Sequence, residues 1–328
     1  MTRVLVSAPY MQAALDRFRR HFDAVGVEVI APPVRERMTE EELAPFAGAI
    51  DGAICGDDAF SAAVLQAASP RLRVLSKWGT GVDSIDRKEA ARLGIQVFNT
   101  PGAFTDAVAD SVIGLMLAFA RRIPWTDRTI KEGVWEKPPC RALAECSLGV
   151  VGVGAIGKAV LRRARAFGME LLGNDIVSID PAFRAETGVS MLPLGPLLER
   201  ADFISVNCDL NPSSLGLIDA QALARVKPSA VLINTARGPI VVEAALVAAL
   251  QQGRLAGAGL DVFEQEPLPG DSPLRTMDNV LLSAHNANSS PRAWERVHRN
   301  TIDNLFRGLG LPVPTWPEGP TSGEGSEG

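Results

Sequence analysis

Short apolar runs alternate with helical patterns from the first residues to beyond position 300. This alternation restricts the chain to parallel α/β architecture, because each parallel strand must return through a crossover, and the usual crossover is a helix. A first set of strands is expected near 3–8, 27–31, 51–55, 72–76 and 95–98. Helices such as 11–22 and 86–93 lie between them, the latter stopped by Gly94. A second set is expected near 147–152, 169–174, 202–207, 230–234, 256–261 and 279–284, enough strands for a complete dinucleotide-binding sheet. A chain of 328 residues exceeds one ordinary core, so the expected fold is two doubly wound parallel-sheet domains.

A long helix is expected from Thr105 or Asp106 to about Arg122. Val108, Val112, Leu115, Met116 and Phe119 form its main stripe, but Ala109, Ile113, Leu117 and Ala118 make the other sides apolar too, so more than one neighbour must cover it. A further helix at about 291–307, with Trp294, Val297, Ile302 and Leu305 on its apolar side, can return to the first domain. The expected division is therefore 1–100 plus 291–328 for a substrate domain and 101–290 for the dinucleotide-binding domain. Residues 312–328, rich in Pro, Gly, Ser and Glu, are expected to form an unstructured tail.

Composition narrows the function classes. A net charge of −5 offers no basic surface for nucleic acid, and no basic amphipathic helix points to a membrane. The most apolar run, Val112 to Ala120, is roughly half of what a bilayer requires. Cys55, Cys140, Cys146 and Cys208 show neither paired nor metal-like spacing, so no metal is expected and a reducing, cytoplasmic setting fits.

Ser147-Leu-Gly-Val-Val-Gly-Val-Gly-Ala-Ile-Gly-Lys158 spells a strand, a tight turn and a helix start. Gly152 permits the turn, Gly154 admits a pyrophosphate to the backbone, and Gly157 lets helix and strand pack closely. Ala155 and Ile156 begin the helix, whose N-terminal N–H groups favour phosphate. The next strand ends in Asp175, 18 residues past Gly157, where a carboxylate can accept hydrogen bonds from both ribose hydroxyls. It would repel a 2′-phosphate, and Ile176 supplies no compensating cation, so NAD is expected over NADP.

Three side chains follow later strands. Arg237, in Asn234-Thr-Ala-Arg-Gly-Pro239, can grip a carboxylate through two parallel hydrogen bonds. His285, after the strand ending near Ser283, can exchange a proton with a hydroxyl as hydride leaves the same carbon. Glu266, in Asp261-Val-Phe-Glu-Gln-Glu-Pro267, can fix the imidazole tautomer and favour its protonated form. His21 and His298 fall within helical patterns and are expected on the surface.

With Lys77-Trp-Gly-Thr-Gly-Val-Asp-Ser-Ile-Asp86 and Asn99-Thr-Pro101, these motifs make the chain resemble the D-isomer-specific 2-hydroxyacid dehydrogenases over about residues 50–310. The resemblance implies a flavodoxin-like substrate domain and a Rossmann NAD-binding domain that close on a 2-hydroxy or 2-oxo acid, with hinges near 100–105 and 286–291. It makes Arg237 the carboxylate anchor, His285 the acid/base and Glu266 its partner. Thr235, Ala236 and Asp261 would hold the nicotinamide carboxamide, and Cys208 would lie near the cofactor. Lys77, Gly79, Thr80 and Gly81 would meet the substrate, and the helix at 106–122 would build a homodimer. In Gly79-Thr-Gly-Val-Asp83 and Lys131-Glu-Gly-Val-Trp-Glu136 the chain is most similar to the 3-phosphoglycerate dehydrogenase branch. No counterpart of that branch's C-terminal regulatory domain is expected, only the short tail. Cys55-Gly-Asp-Asp58 stands where the branch carries a phosphate-binding arginine, and two carboxylates would repel a phosphate. The expected substrate side chain is therefore neutral, hydroxylated or cationic. Two alternatives are D-3-phosphoglycerate dehydrogenase proper and a non-catalytic NAD-sensing interaction protein on the same scaffold.

Overall fold

The structure, a computed structural model, describes residues 1–316 and contains two all-parallel sheets. In the first are β1 (Thr2–Val6), β2 (Val27–Ile30), β3 (Gly52–Cys55), β4 (Val74–Lys77) and β5 (Gln96–Phe98), in the order β2-β1-β3-β4-β5. In the second are β6 (Ser147–Val151), β7 (Glu170–Asn174), β8 (Ser190–Met191), β9 (Phe203–Val206), β10 (Val231–Asn234), β11 (Gly257–Leu260) and β12 (Val280–Leu282). Their order is β12-β11-β10-β9-β6-β7-β8. The first order is flavodoxin-like and the second is a Rossmann sheet with one added edge strand, so the expected fold class holds. The sequence pattern indicates six strands in the second sheet; the seventh, β8, is only two residues long and leaves no periodic trace.

The chain divides into two units, Met1–Ala103 with Pro291–Gly328, and Phe104–Ser290. In the first, helix Pro291–Leu309 returns the C-terminal segment to β3, β4 and β5. Gly52 meets Leu305, Gly308 meets Val74 and Phe98, and the Ser76 hydroxyl donates to the Thr301 carbonyl (2.8 Å). In the second, helix Thr105–Arg121 buries Val108, Ala109, Val112, Ile113 and Met116. Its Leu115 and Phe119 lie against Gly259 and Gly257 of β11, where larger residues would collide. Strands β6, β9, β10 and β11 are buried throughout, as parallel strands covered on both faces must be. Residues 312–316 have no regular structure, yet Trp316 donates to Asp303 (2.9 Å) and lies against His21 and Phe18. The remainder of the expected tail, 317–328, lies outside the described residues.

His298 corrects the expectation of a surface histidine. It is 4% exposed, packs between Trp78 and Phe18, and accepts the Trp78 indole N–H at Nδ1 (3.0 Å). Burial pushes its pKa down to about 4; Glu295 opposes this, and Arg17 adds to it. Between pH 6.5 and 4 the unfolded chain therefore binds a proton that the folded chain refuses. The stability this contributes is complete above that window and falls as pH drops through it, by roughly 1.4 kcal/mol per pH unit at most. Replacing His298 with Gln, which keeps an acceptor for Trp78, should flatten the acid limb of urea-denaturation stability. Equal slopes in the two proteins would show that His298 is not its source.

Candidate active site

The glycine turn is built as its spacing requires. Gly152 has φ +92°, and a side chain there would collide with the Cys208 main chain. A Cβ at Gly157 would strike the Gly152 carbonyl, whereas one at Gly154 meets nothing within 4 Å. The turn thus packs tightly below and lies open above, at the N-terminus of helix Ala155–Ala166. Asp175 follows β7 and bridges the turn, accepting from Val153 N–H at Oδ2 (2.7 Å) and from Val177 N–H at Oδ1 (3.0 Å). Two buried polar atoms at neighbouring strand ends, Thr235 Oγ1 and Asn207 Oδ1, have no partner among the described residues. An open cradle, an acid at ribose distance in sequence and orphaned polar atoms are what a bound dinucleotide would complete. The Cys208 main chain abuts Gly152 of the turn; burial raises the Cys208 pKa to about 11, so its thiol stays protonated at neutral pH.

Arg237, Glu266 and His285 follow β10, β11 and β12, which are adjacent in the sheet. Open α/β sheets bind ligands at such carboxyl ends. Asn234 shapes the arginine loop, donating to the Arg237 carbonyl (2.9 Å) and accepting from Ala236 N–H (3.1 Å). The guanidinium donates to the Ala236 carbonyl (2.8 Å). Gly238 is pressed against the Phe263–Glu264 main chain, so no side chain fits there. His285 Nδ1 lies 2.8 Å from Glu266 Oε2, with both side chains about a quarter exposed or less. The other oxygen, Oε1, accepts Phe263 N–H (2.9 Å). Held at both oxygens, the carboxylate fixes the imidazole with Nδ1 as donor, and Nε2 is then the nitrogen that handles a proton.

His285 has φ +50°, one of two non-glycine residues in the left-handed region among those described. Such a conformation costs on the order of 1–3 kcal/mol and persists where the surroundings impose it. Asp261 imposes it here. Its carbonyl accepts His285 N–H (2.8 Å), and its carboxylate accepts Asn286 N–H (2.8 Å) and Ala287 N–H (2.9 Å). Sequence reasoning gives Asp261 to the nicotinamide. The structure shows it 2% exposed and shaping the histidine loop, a task that spacing alone does not signal.

The first unit changes the reading of two acids. Asp58 is fully buried, accepting from Ser7 Oγ (2.6 Å), Met38 N–H (2.7 Å) and Gly56 N–H (2.9 Å). It is a structural group and presents no carboxylate to a ligand. Lys77, expected to meet substrate, is 2% exposed and donates to Asp57 (2.6 Å). The surface charge is thus one paired carboxylate in place of two open ones. Gly79 takes φ +136°, its carbonyl accepts Thr100 N–H and Oγ1 (2.9 Å each), and Thr80 Oγ1 donates to the Thr100 carbonyl (3.2 Å). These bonds fix the Gly79–Gly81 loop.

A dinucleotide cradle followed in the same sheet by a carboxylate-backed imidazole is the equipment of a nicotinamide-dependent oxidoreductase. Residues 113–287 match the D-isomer specific 2-hydroxyacid dehydrogenase NAD-binding domain. The chain is 38% identical to a glyoxylate reductase of Korarchaeum cryptofilum, covering 93% of this chain and 92% of that one. It is 36% identical to a D-3-phosphoglycerate dehydrogenase of Archaeoglobus fulgidus over 95% of this chain, which spans only 58% of that longer protein. The crystal structure of an Aquifex aeolicus D-lactate dehydrogenase complexed with NAD and lactic acid superposes with a TM-score of 0.83 at 25% identity, covering 94% of this chain and 96% of that one. The chain belongs to the D-isomer specific 2-hydroxyacid dehydrogenase family, and is an NAD-dependent oxidoreductase of that family. Among the described residues no helix is long and apolar enough to cross a membrane, and no acidic, His or Cys cluster could hold a metal ion.

Proposed function

We propose that the enzyme interconverts a small, unphosphorylated 2-oxo acid and its D-2-hydroxy acid, using Arg237, Glu266 and His285. The observation that carries this reading is the 2.8 Å contact of His285 Nδ1 with Glu266, one strand away from the Arg237 loop. In the reduction direction Arg237 holds the substrate carboxylate, and His285 Nε2 gives a proton to the keto oxygen while Glu266 stabilises the imidazole. Gly152, Gly154, Ala155, Ile156, Gly157, Asp175 and the loop at Thr235–Ala236 would hold the cofactor, with Cys208 beside it. When bound, NADH supplies the hydride. Asp261 acts by shaping the histidine loop.

The substrate class rests on Asp57, whose partnership with Lys77 leaves that lysine committed to a neighbouring acid. The Korarchaeum relative is named for glyoxylate, and glyoxylate or hydroxypyruvate suits such a loop better than a phosphorylated 2-oxo acid. The helix expected to build a homodimer, at 106–122, buries Val108, Val112, Ile113 and Met116 within its own unit. Exposed Ile123, Ile130 and Trp135, the last 80% exposed, instead favour a homodimer through helix Ile123–Lys131 and the segment after it. NADH oxidation across a panel of 2-oxo acids tests the assignment. Glyoxylate or hydroxypyruvate should give the highest kcat/KM, and NADPH should be poorer than NADH by about tenfold or more, because Asp175 repels a 2′-phosphate. A best rate with phosphohydroxypyruvate, or a preference for NADPH, overturns the corresponding half.

A further inference from the structure

We propose that Glu243 and Glu264 are positioning residues that lock the Arg237 loop to the Glu266 loop, and that proton transfer depends on this lock. The inference rests on the assignment of His285 and Glu266 as the acid/base pair. Glu264 Oε1 accepts the Glu243 N–H (2.9 Å), and Glu243 Oε2 accepts the Glu264 N–H (3.3 Å). Two acids 21 residues apart thus exchange bonds through each other's main chain.

The exchange joins the site loops at a narrow point. Glu243 opens helix Glu243–Gln251, just beyond the Arg237–Gly238–Pro239 turn. The residue before that helix, Val242, makes no side-chain cap, so the Glu264 carboxylate satisfies the first helical N–H from another loop. Gly238 meets the Phe263–Glu264 main chain at the same junction, where no Cβ fits. From Glu264 the connection runs through the adjacent Phe263 N–H to Glu266 Oε1, and from Glu266 Oε2 to His285 Nδ1. Fixing residue 264 therefore fixes the carboxylate that orients the imidazole.

Solvation alone does not account for this pair. Two carboxylates this close repel, and neither forms an ion pair among the described residues. Burial and then the Glu264 charge raise the Glu243 pKa, opposed by its bond from the Glu264 amide. An unfavourable juxtaposition retained between two site loops indicates use in holding them.

The test compares Glu243→Ala, Glu264→Ala, Glu243→Asp and Glu243→Gln in the full-length enzyme with NADH and its best 2-oxo acid. Each alanine variant should lose about 10- to 100-fold in kcat, as loosened catalytic geometry does, while NADH affinity changes by less than about twofold. The pH limb of kcat/KM belonging to His285 should move to lower pH, because Glu266 no longer stabilises the imidazolium as well. Glu243→Gln retains an oxygen for the Glu264 N–H and should restore both rate and limb. Glu243→Asp, which withdraws the oxygen by one methylene without opening a hole, should show the same limb shift and keeps the test open if the alanine variants do not fold. A lowered Tm with kcat and pH limb unchanged would mean a merely structural pair. If His285→Ala stays active, the acid/base assignment has failed; if it is inactive while the Glu243 and Glu264 variants behave as wild type, the lock alone has failed.

Discussion

His285→Ala is expected to lower kcat for 2-oxo acid reduction by about 10²–10⁴-fold, the usual worth of a positioned acid, with NADH binding preserved. The distinction has a structural basis: the turn at Gly152–Gly157 and Asp175, proposed to hold the cofactor, are joined to each other, while His285 belongs to a separate loop held by Asp261. Folding should survive, since removing the imidazole deletes no buried apolar packing and the loop keeps its Asp261 contacts. His285→Gly is the sharper control. It relieves the left-handed φ of +50°, so it should fold at least as well as the alanine variant and be as inactive. Glu266→Gln should cost less, about tenfold, and move the imidazole limb to lower pH, because the amide still accepts the Phe263 N–H but no longer offsets the imidazolium charge. Fluorescence titration with NADH and a pH series of kcat/KM read all three. A His285→Ala enzyme keeping more than about a tenth of its kcat would remove the histidine from the proton step.

Much of this arrangement is legible in the sequence because parallel strands are buried on both faces. Val231–Ile233 and Gly257–Leu260 read as continuous small or apolar runs, and each run's end marks the start of one of the loops proposed to face the ligand. That logic locates Arg237, Glu266 and His285 before any geometry is available. It fails where a residue's environment is supplied from far along the chain. Asp58 appears as an open carboxylate because the groups that bury it, Ser7 and Met38, lie 51 and 20 residues away. His298 sits in a helical pattern like any surface histidine, but its partner Trp78 is 220 residues distant. Asp261 has a task that no local pattern signals, since its oxygens close the turn at His285–Ala287 from 25 and 26 residues away. Strand β8 fails for a different reason, since two residues cannot display a period.

Arg237→Ala is expected to cut kcat/KM for the 2-oxo acid by about 10²-fold or more, since truncating one partner of a desolvated charge pair costs about 3 kcal/mol. The loss should depend on the substrate's own charge. Arg237 is anchored from its main chain, with its carbonyl receiving the Asn234 amide and its guanidinium donating to Ala236. The side chain is therefore preorganised to present a planar fork, which a carboxylate fills with two parallel bonds. Arg237→Lys should recover only part of the activity, because an ammonium matches the charge but not the fork. The methyl ester of the same 2-oxo acid separates anchoring from other roles. Without a carboxylate to grip, wild type should handle the ester poorly, and Arg237→Ala should lose far less against it than against the acid. Because Gly238, the residue after Arg237, is itself pressed against the Phe263–Glu264 main chain, the substitution should leave the Glu266–His285 pair in place. Its pH profile should accordingly keep the wild-type imidazole limb. An equal loss on acid and ester would mean that Arg237 serves the reacting carbonyl or the loop itself, and the carboxylate would then need another anchor.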